Sequence, residues 1–257
     1  MASLDNPFAR LRRAREHCNA LHEMAQAFTE TDPYSFTIER EDDWDIVSVH
    51  IHHQPPIELG VLFGDFLHNL RAALDNLAWQ LVLLNGNRPT RQTAFPVAQD
   101  QRAFDSHASR QLAGMTAQHQ KRIAELQPFA EQVGNGGHAL DLIHEMARID
   151  RHRIVHPVLM GPAKTDVPFI LRREPINTDV FIEGRVTAAN NALLDGAEVA
   201  RFRTSTPGDQ PPVEIKADLL VEIAFGERGL RLFALPTVGI EIGAVVKAFE
   251  PDFALDL

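Results

Sequence analysis

Cysteine is nearly absent: the 257-residue chain carries one, Cys18. A lone thiol closes no internal disulfide, so no covalent staple is available to this fold. Long apolar runs are missing too. No stretch reaches the roughly 18 apolar residues of a membrane span, and the opening MASLDNPFARLRRAR has no apolar leader core. These absences point to a cytoplasmic protein with no membrane partner. Positive charge is in deficit: 35 acids face 25 bases, for a net charge of −10. The deficit is even, with 20 acids and 15 bases in residues 1–156 and 15 and 10 in the rest. No basic half exists for a polyanion to find, so RNA is disfavoured as a partner, though a local basic patch keeps it possible. Several motifs are missing as well. The chain has no P-loop, no G-x-G-x-x-G, no G-x-S-x-G, no H-E-x-x-H and no paired E-x-x-H. Histidine is absent after position 156; all 12 lie at or before it.

What is present is an ordinary globular composition, 44% hydrophobic and 23% charged. A first helix is expected from about Pro7 to Phe28, with Asn6 as N-cap. Leu11, Ala14, Cys18, Leu21, Ala25 and Phe28 recur at spacings of three and four, a seam facing another helix. Cys18 on that seam reads as a buried hydrophobe, and Arg10, Arg12, Arg13 and Arg15 as solvated charge. The stretch YSFTIEREDDWDIVSVHIHH alternates with period two about a polar turn, a β-hairpin over about 34–53. Its His50 and His52 share a face without an evident third metal ligand. A long helix follows over 57–84, closed by the Asn85-Gly86 pair. Residues 87–115 read as loop-rich, with short ordered pieces around TAFPV. Thr116 caps a helix that ends before Pro128, and GNGG opens the next. After Pro157 short period-two runs take over, including FILRR, FIEGRV and VARFRT. A last helix is expected over Thr237–Phe249.

Two helices break the usual division of polar from apolar. On the long helix Phe66, Leu67, Leu70, Leu74, Leu77 and Leu81 form the core arc. Asp65, His68, Asn69, Asp75 and Asn76 lie opposite, yet Ala72 and Trp79 share that polar arc, so the face is expected to be half-buried. In LIHEMARIDRHRIVHP, residues 142–157, the apolar arc contains Asp150 and Arg153 while His144, Glu145 and His152 lie outside it. A buried charge without a partner costs several kcal/mol. Asp150 and Arg153 are therefore expected to pair within the core, or to reach across to His68, Asn69, Arg71 or Asp75.

Two resemblances sit on these residues. GDFLHNLRAALDNLAWQLV with LIHEMARIDRHR resembles a group of uncharacterised bacterial proteins that carry an H-N-L-R-x-x-L-D helix and a later D-[KR]-H-R. The matched segments span roughly an eighth of the chain. That likeness implies a signature of His68, Asn69, Arg71, Asp75, Asp150, His152 and Arg153. Separately, Arg151 to His156 resembles the R-x4-6-H motif of HEPN-domain proteins, helical ribonucleases and RNA-binding modules. It implies metal-independent RNA cleavage at a dimer interface, with Arg151 on phosphate and His156 on the 2′-hydroxyl or leaving group. Pro157 biases His156 away from helical geometry. A helix C-terminus also offsets nearby cations.

The sequence thus predicts an α+β protein: a helical bundle with an inserted hairpin over 1–156, then a mostly antiparallel β region with a C-terminal helix over 157–257, packed as one unit. The leading functional expectation is a non-catalytic binding or regulatory module with a buried polar cluster between two helices. Its binding residues are Asp65, His68, Asn69, Arg71, Asp75, His144, Asp150, His152 and Arg153. The ligand is a small molecule or a protein, and a homodimer is an option. A HEPN-like ribonuclease using Arg151 and His156 is the alternative, a metal-assisted hydrolase the second. No cofactor and no tightly held transition metal is expected.

Overall fold

The computed structural model describes residues 2–130, 137–150, 155–161, 169–174, 181–186, 192–205, 214–219, 221–226 and 230–254. The protein is α+β. In chain order the elements are α1 (Asp5–Thr29), β1 (Tyr34–Glu41), β2 (Trp44–Ile51), α2 (Ile57–Leu84), α3 (Gln101–Gln111), α4 (Ala117–Glu125) and α5 (Gly137–Asp150). Then come β3 (Pro157–Met160), β4 (Phe169–Glu174), β5 (Phe181–Val186), β6 (Glu198–Ser205), β7 (Glu214–Leu219), β8 (Glu222–Phe225) and β9 (Leu230–Arg231). A 3-10 turn leads into α6 (Leu235–Lys247) and α7 (Glu250–Phe253). Among the described residues no helix is long and apolar enough to cross a membrane.

The chain divides into two compact units. One comprises residues 1–21, 60–155 and 233–257; the other comprises 22–59 and 156–232. The hairpin therefore belongs with the later strands, and the C-terminal helices belong with the helical unit.

The helical unit is built on α2. Phe63, Phe66, Leu67, Leu70, Leu74, Leu77 and Leu81 are all buried, as the core arc requires. On α1 the seam residues Ala14, Cys18 and Leu21 are buried. Burial pushes the Cys18 thiol up, which keeps it a protonated hydrophobe. The helix starts at Asp5, ahead of the expected Asn6 cap, and the Asp5 N–H donates to Ser3 Oγ at 3.4 Å. α2 ends in a Schellman motif: Gly86 (φ +71°) donates to Leu83 O and Asn87 to Val82 O. α4 starts at Thr116, whose hydroxyl accepts from the His119 N–H.

α3 stands where a loop was expected. Asp100 caps it by accepting from the Ala103 N–H, and only Phe104 along it is buried. With one core anchor, its apolar periodicity is too sparse to read. The last helix also differs: α6 starts at Leu235 with Pro236 in its first turn, and α7 takes Pro251 in its first turn. Both prolines sit where no N–H is needed.

In the β unit every pairing among the described residues is antiparallel. The sheets run β1-β2-β6-β5, β3-β8-β9 and β4-β7. The hairpin pairs Glu41 with Trp44, leaving a two-residue turn with Asp42 at φ +52°. On its face His50 Nε2 lies 3.0 Å from Thr37 Oγ1 and His52 Nε2 lies 2.9 Å from Ser35 Oγ. Hydroxyls thus occupy both imidazoles. Arg231 is buried, ion-paired to Glu222, and donates to Gly161 O at 2.8 Å.

Candidate functional site

The polar residues of α2 divide into two groups, and the second faces Asp150 at the end of α5. Asn69, Arg71 and Asp75 face inward or sideways. Arg71 donates through Nε and Nη2 to the two Asp75 carboxylate oxygens at 3.2 and 2.8 Å. The same Nη2 donates to Phe95 O at 2.6 Å, and the Phe95 N–H donates to Asp75 Oδ1 at 3.0 Å. One turn of α2 therefore satisfies both backbone groups of a buried residue. Buried backbone must be paired, and an irregular segment cannot pair with itself. The neighbouring stretch is held likewise: Gln127 Nε2 donates to Pro96 O at 3.0 Å and its Oε1 accepts from Ala98 N at 3.0 Å. Gln99 donates to Asp141 on α5. Arg71 and Asp75 are thus a clamp on Phe95, and Gln127 and Asp141 hold the residues after it. Asn69 is buried and donates to Asp65 O at 2.8 Å, while its Oδ1 accepts from Arg10 at 3.3 Å. Arg10 is therefore more than solvated charge.

The second group is Asp65, His68 and Asp150. Gly64 on α2 is buried, and a Cβ built there would meet the Asp150 carboxylate oxygens at 2.6 and 2.7 Å. The carboxylate at the end of α5 lies directly on the bare backbone of α2. Gly64 lets the two helices approach there, which is the use of glycine inside a helix that otherwise costs about 1 kcal/mol against alanine. Burial raises the Asp150 pKa, the nearby Asp65 carboxylate raises it further, and the His68 imidazole pulls it down. The net direction is up, so desolvation and a like charge outweigh the cation. Asp65 and His68 themselves are exposed. The arrangement is a half-buried carboxylate seated on α2, within electrostatic reach of an exposed carboxylate and an exposed imidazole on the same helix.

The other expected residues fall as follows. His144 and Glu145 are half-buried on α5, each engaged in an interaction of its own. Arg151, His152 and Arg153 lie outside the described residues, and with them the expected Asp150–Arg153 pair. His156 is exposed, and its carbonyl accepts from the Gly226 N–H at 3.3 Å. The face carrying Ala72 and Trp79 is more open than expected: Ala72 is half-buried, but Trp79 is 42% exposed. Among the described residues no group of three or more His, Cys, Asp or Glu is placed to hold a metal.

One cluster was not anticipated. His119 on α4 is buried, 3.6 Å from Asp252 on α7 and edge-on to Phe249. Arg122 also pairs with Asp252, stacks 4.5 Å above the Phe249 ring and donates to Ala248 O. Burial pushes the His119 pKa down, Asp252 opposes this, and Arg122 adds to it. The signal lay in the three-residue spacing of His119 and Arg122, which puts them on one helix face. Their partners are 130 residues away, beyond any local pattern.

Comparison with protein-family models, with curated proteins and with solved structures returns no match.

Proposed function

We propose that this protein is a non-catalytic binding or regulatory module, and that Asp65, His68 and Asp150 form the heart of its recognition face. The observation that supports this reading is the seat of Asp150. Its half-buried carboxylate lies against the Gly64 backbone and feels the charge of Asp65, which is exposed on the next position of α2. Two like charges within reach of each other make ionisation of both more costly, an electrostatic strain that the fold leaves in place. A partner that brings a cation or hydrogen-bond donors to this edge relieves the strain. Asn69, Asp75 and the Nε and Nη2 of Arg71 then serve architecture, because they hold the chain's own backbone or each other, while the buried Arg71 Nη1 has no hydrogen-bond partner among the described residues.

The reading competes with RNA cleavage by Arg151 and His156 and with metal-assisted hydrolysis. The test incubates chelator-treated wild type and His156→Ala with mixed RNA, then repeats the wild-type arm with Zn²⁺ or Mn²⁺ restored. No cleavage in any arm is the expected result. Metal-free cleavage by wild type that His156→Ala loses would replace the reading with the ribonuclease. Cleavage that appears only with metal would replace it with the hydrolase.

A further inference from the structure

We infer that the partner for this face is a second copy of the chain, docked through an antiparallel pairing of the two α2 helices centred on Ala72. The inference rests on the recognition face proposed above and names its occupant. Along α2 the outward line of residues is Val61, Asp65, His68, Ala72, Asn76, Trp79 and Leu83. Val61 is 50% exposed, Trp79 42% and Leu83 37%. Trp79 and Leu83 lie one turn apart and Val61 stands at the other end of the line, so covering both ends of this face gains free energy.

What covers them is indicated by the order of side chains. A two-fold interface is isologous, so each residue meets the one equally far from the axis on the other side. With the axis at Ala72, Val61 meets Leu83 of the second copy, apolar on apolar. Asp65 meets Trp79 of the second copy, whose indole N–H has no better use than a carboxylate acceptor. His68 meets Asn76 of the second copy, and the carboxamide can donate to or accept from either imidazole tautomer. Ala72 meets itself, and a methyl group is all that fits where two backbones approach most closely. A parallel pairing would set Asp65 against Asp65 and His68 against His68, stacking like on like. Antiparallel pairing instead brings a donor to the exposed Asp65 carboxylate. From Val61 to Leu83 the line is about 33 Å long at roughly 1.5 Å per residue. A single helix pair of that length is a small contact, so the association is expected to be reversible and concentration-dependent.

The test is the solution mass of the full chain by analytical ultracentrifugation over a concentration series, with three sets of variants. Wild type is expected to shift reversibly from monomer to dimer. Ala72→Glu places two carboxylates on the axis, and Trp79→Glu sets an acid against Asp65. Each is expected to weaken association by about tenfold or more, with unchanged circular dichroism as the control for folding. Ala72→Cys is nearly isosteric and is expected to form a disulfide-linked dimer under mild oxidation. Val61→Cys and Leu83→Cys are each expected not to, whereas the Val61→Cys/Leu83→Cys double variant is expected to link. A chain that stays monomeric at every concentration overturns the inference. So does a dimer indifferent to both glutamates, or cross-linking by Val61→Cys alone. None of these results bears on the RNA assay, so the binding reading fails or stands by its own experiment.

Discussion

At the scale of single residues, Gly64 and Asp150 make one unit. A methyl group at 64 collides with the carboxylate, which overpacks the contact at a typical cost of about 1–3 kcal/mol. The same change returns about 1 kcal/mol of helix propensity. The two effects separate in a double-mutant cycle. Gly64→Ala is expected to destabilise wild type or leave it nearly unchanged, yet to stabilise an Asp150→Ala background. The coupling should be about 1–3 kcal/mol by urea denaturation. Additivity within about 0.5 kcal/mol would mean that the two groups do not touch in solution. The charge of Asp150 acts in a second way. Its folded-state pKa is raised above the unfolded value, so the folded protein holds that proton more tightly. The carboxylate therefore costs stability once pH rises above the ordinary carboxylate range, and costs nothing well below it. Asp150→Asn is accordingly expected to be more stable than wild type near neutral pH, with the gain vanishing on acidification. A loss of stability at neutral pH would indicate that Asp150 holds a cation, as a core pair with Arg153 requires.

At the scale of elements, the Arg71–Asp75 clamp fixes Phe95 at the head of the 95–99 segment. Asp75→Ala leaves the Phe95 N–H without its acceptor and Arg71 without its carboxylate. A cost of about 2–3 kcal/mol is expected, read from the shift of the urea midpoint. A change under about 0.5 kcal/mol would show that water substitutes freely there. The α4–α7 contact should respond to pH. His119 is buried neutral, with a folded pKa below its unfolded value. Stability it supplies is present above the unfolded value near 6.5 and is lost as pH falls through and below it. Wild type is expected to lose stability more steeply between about pH 7 and 5 than His119→Phe, which cannot take up the proton. Parallel slopes would mean that this imidazole is solvated.

Elements were legible in proportion to their apolar periodicity. The long helix was readable to the residue because one apolar arc persists along most of its 28 residues and an Asn-Gly pair terminates it. The hairpin was readable because alternation and a polar turn coincide. α3 was not, since one buried phenylalanine sets no period. The candidate site was half legible. A charge within an apolar arc pointed to Asp150, but the sequence offers no local cue that Gly64 is its seat. Nor did it show that Arg71 and Asp75 serve residue 95 and not α5, because such a pairing across 20 or more positions is fixed by packing alone.

At the scale of the whole molecule, the chain interleaves its two units. The helical unit draws on three separate segments of sequence and the β unit on two. Reading the switch of periodicity near Pro157 as a boundary locates one junction, at 155/156, but cannot assign the hairpin or the last helices. The functional reading is confined to the helical unit, where Asp65, His68 and Asp150 converge. The most direct measurement of that convergence is a carbon-detected NMR titration of the Asp150 carboxyl group in wild type, Asp65→Asn and His68→Ala. Asp150 is expected to titrate above the ordinary aspartate value near 3.8. Removing the Asp65 charge should lower that value, and removing His68 should raise it. An Asp150 that titrates at or below the ordinary value, indifferent to both substitutions, would contradict the account.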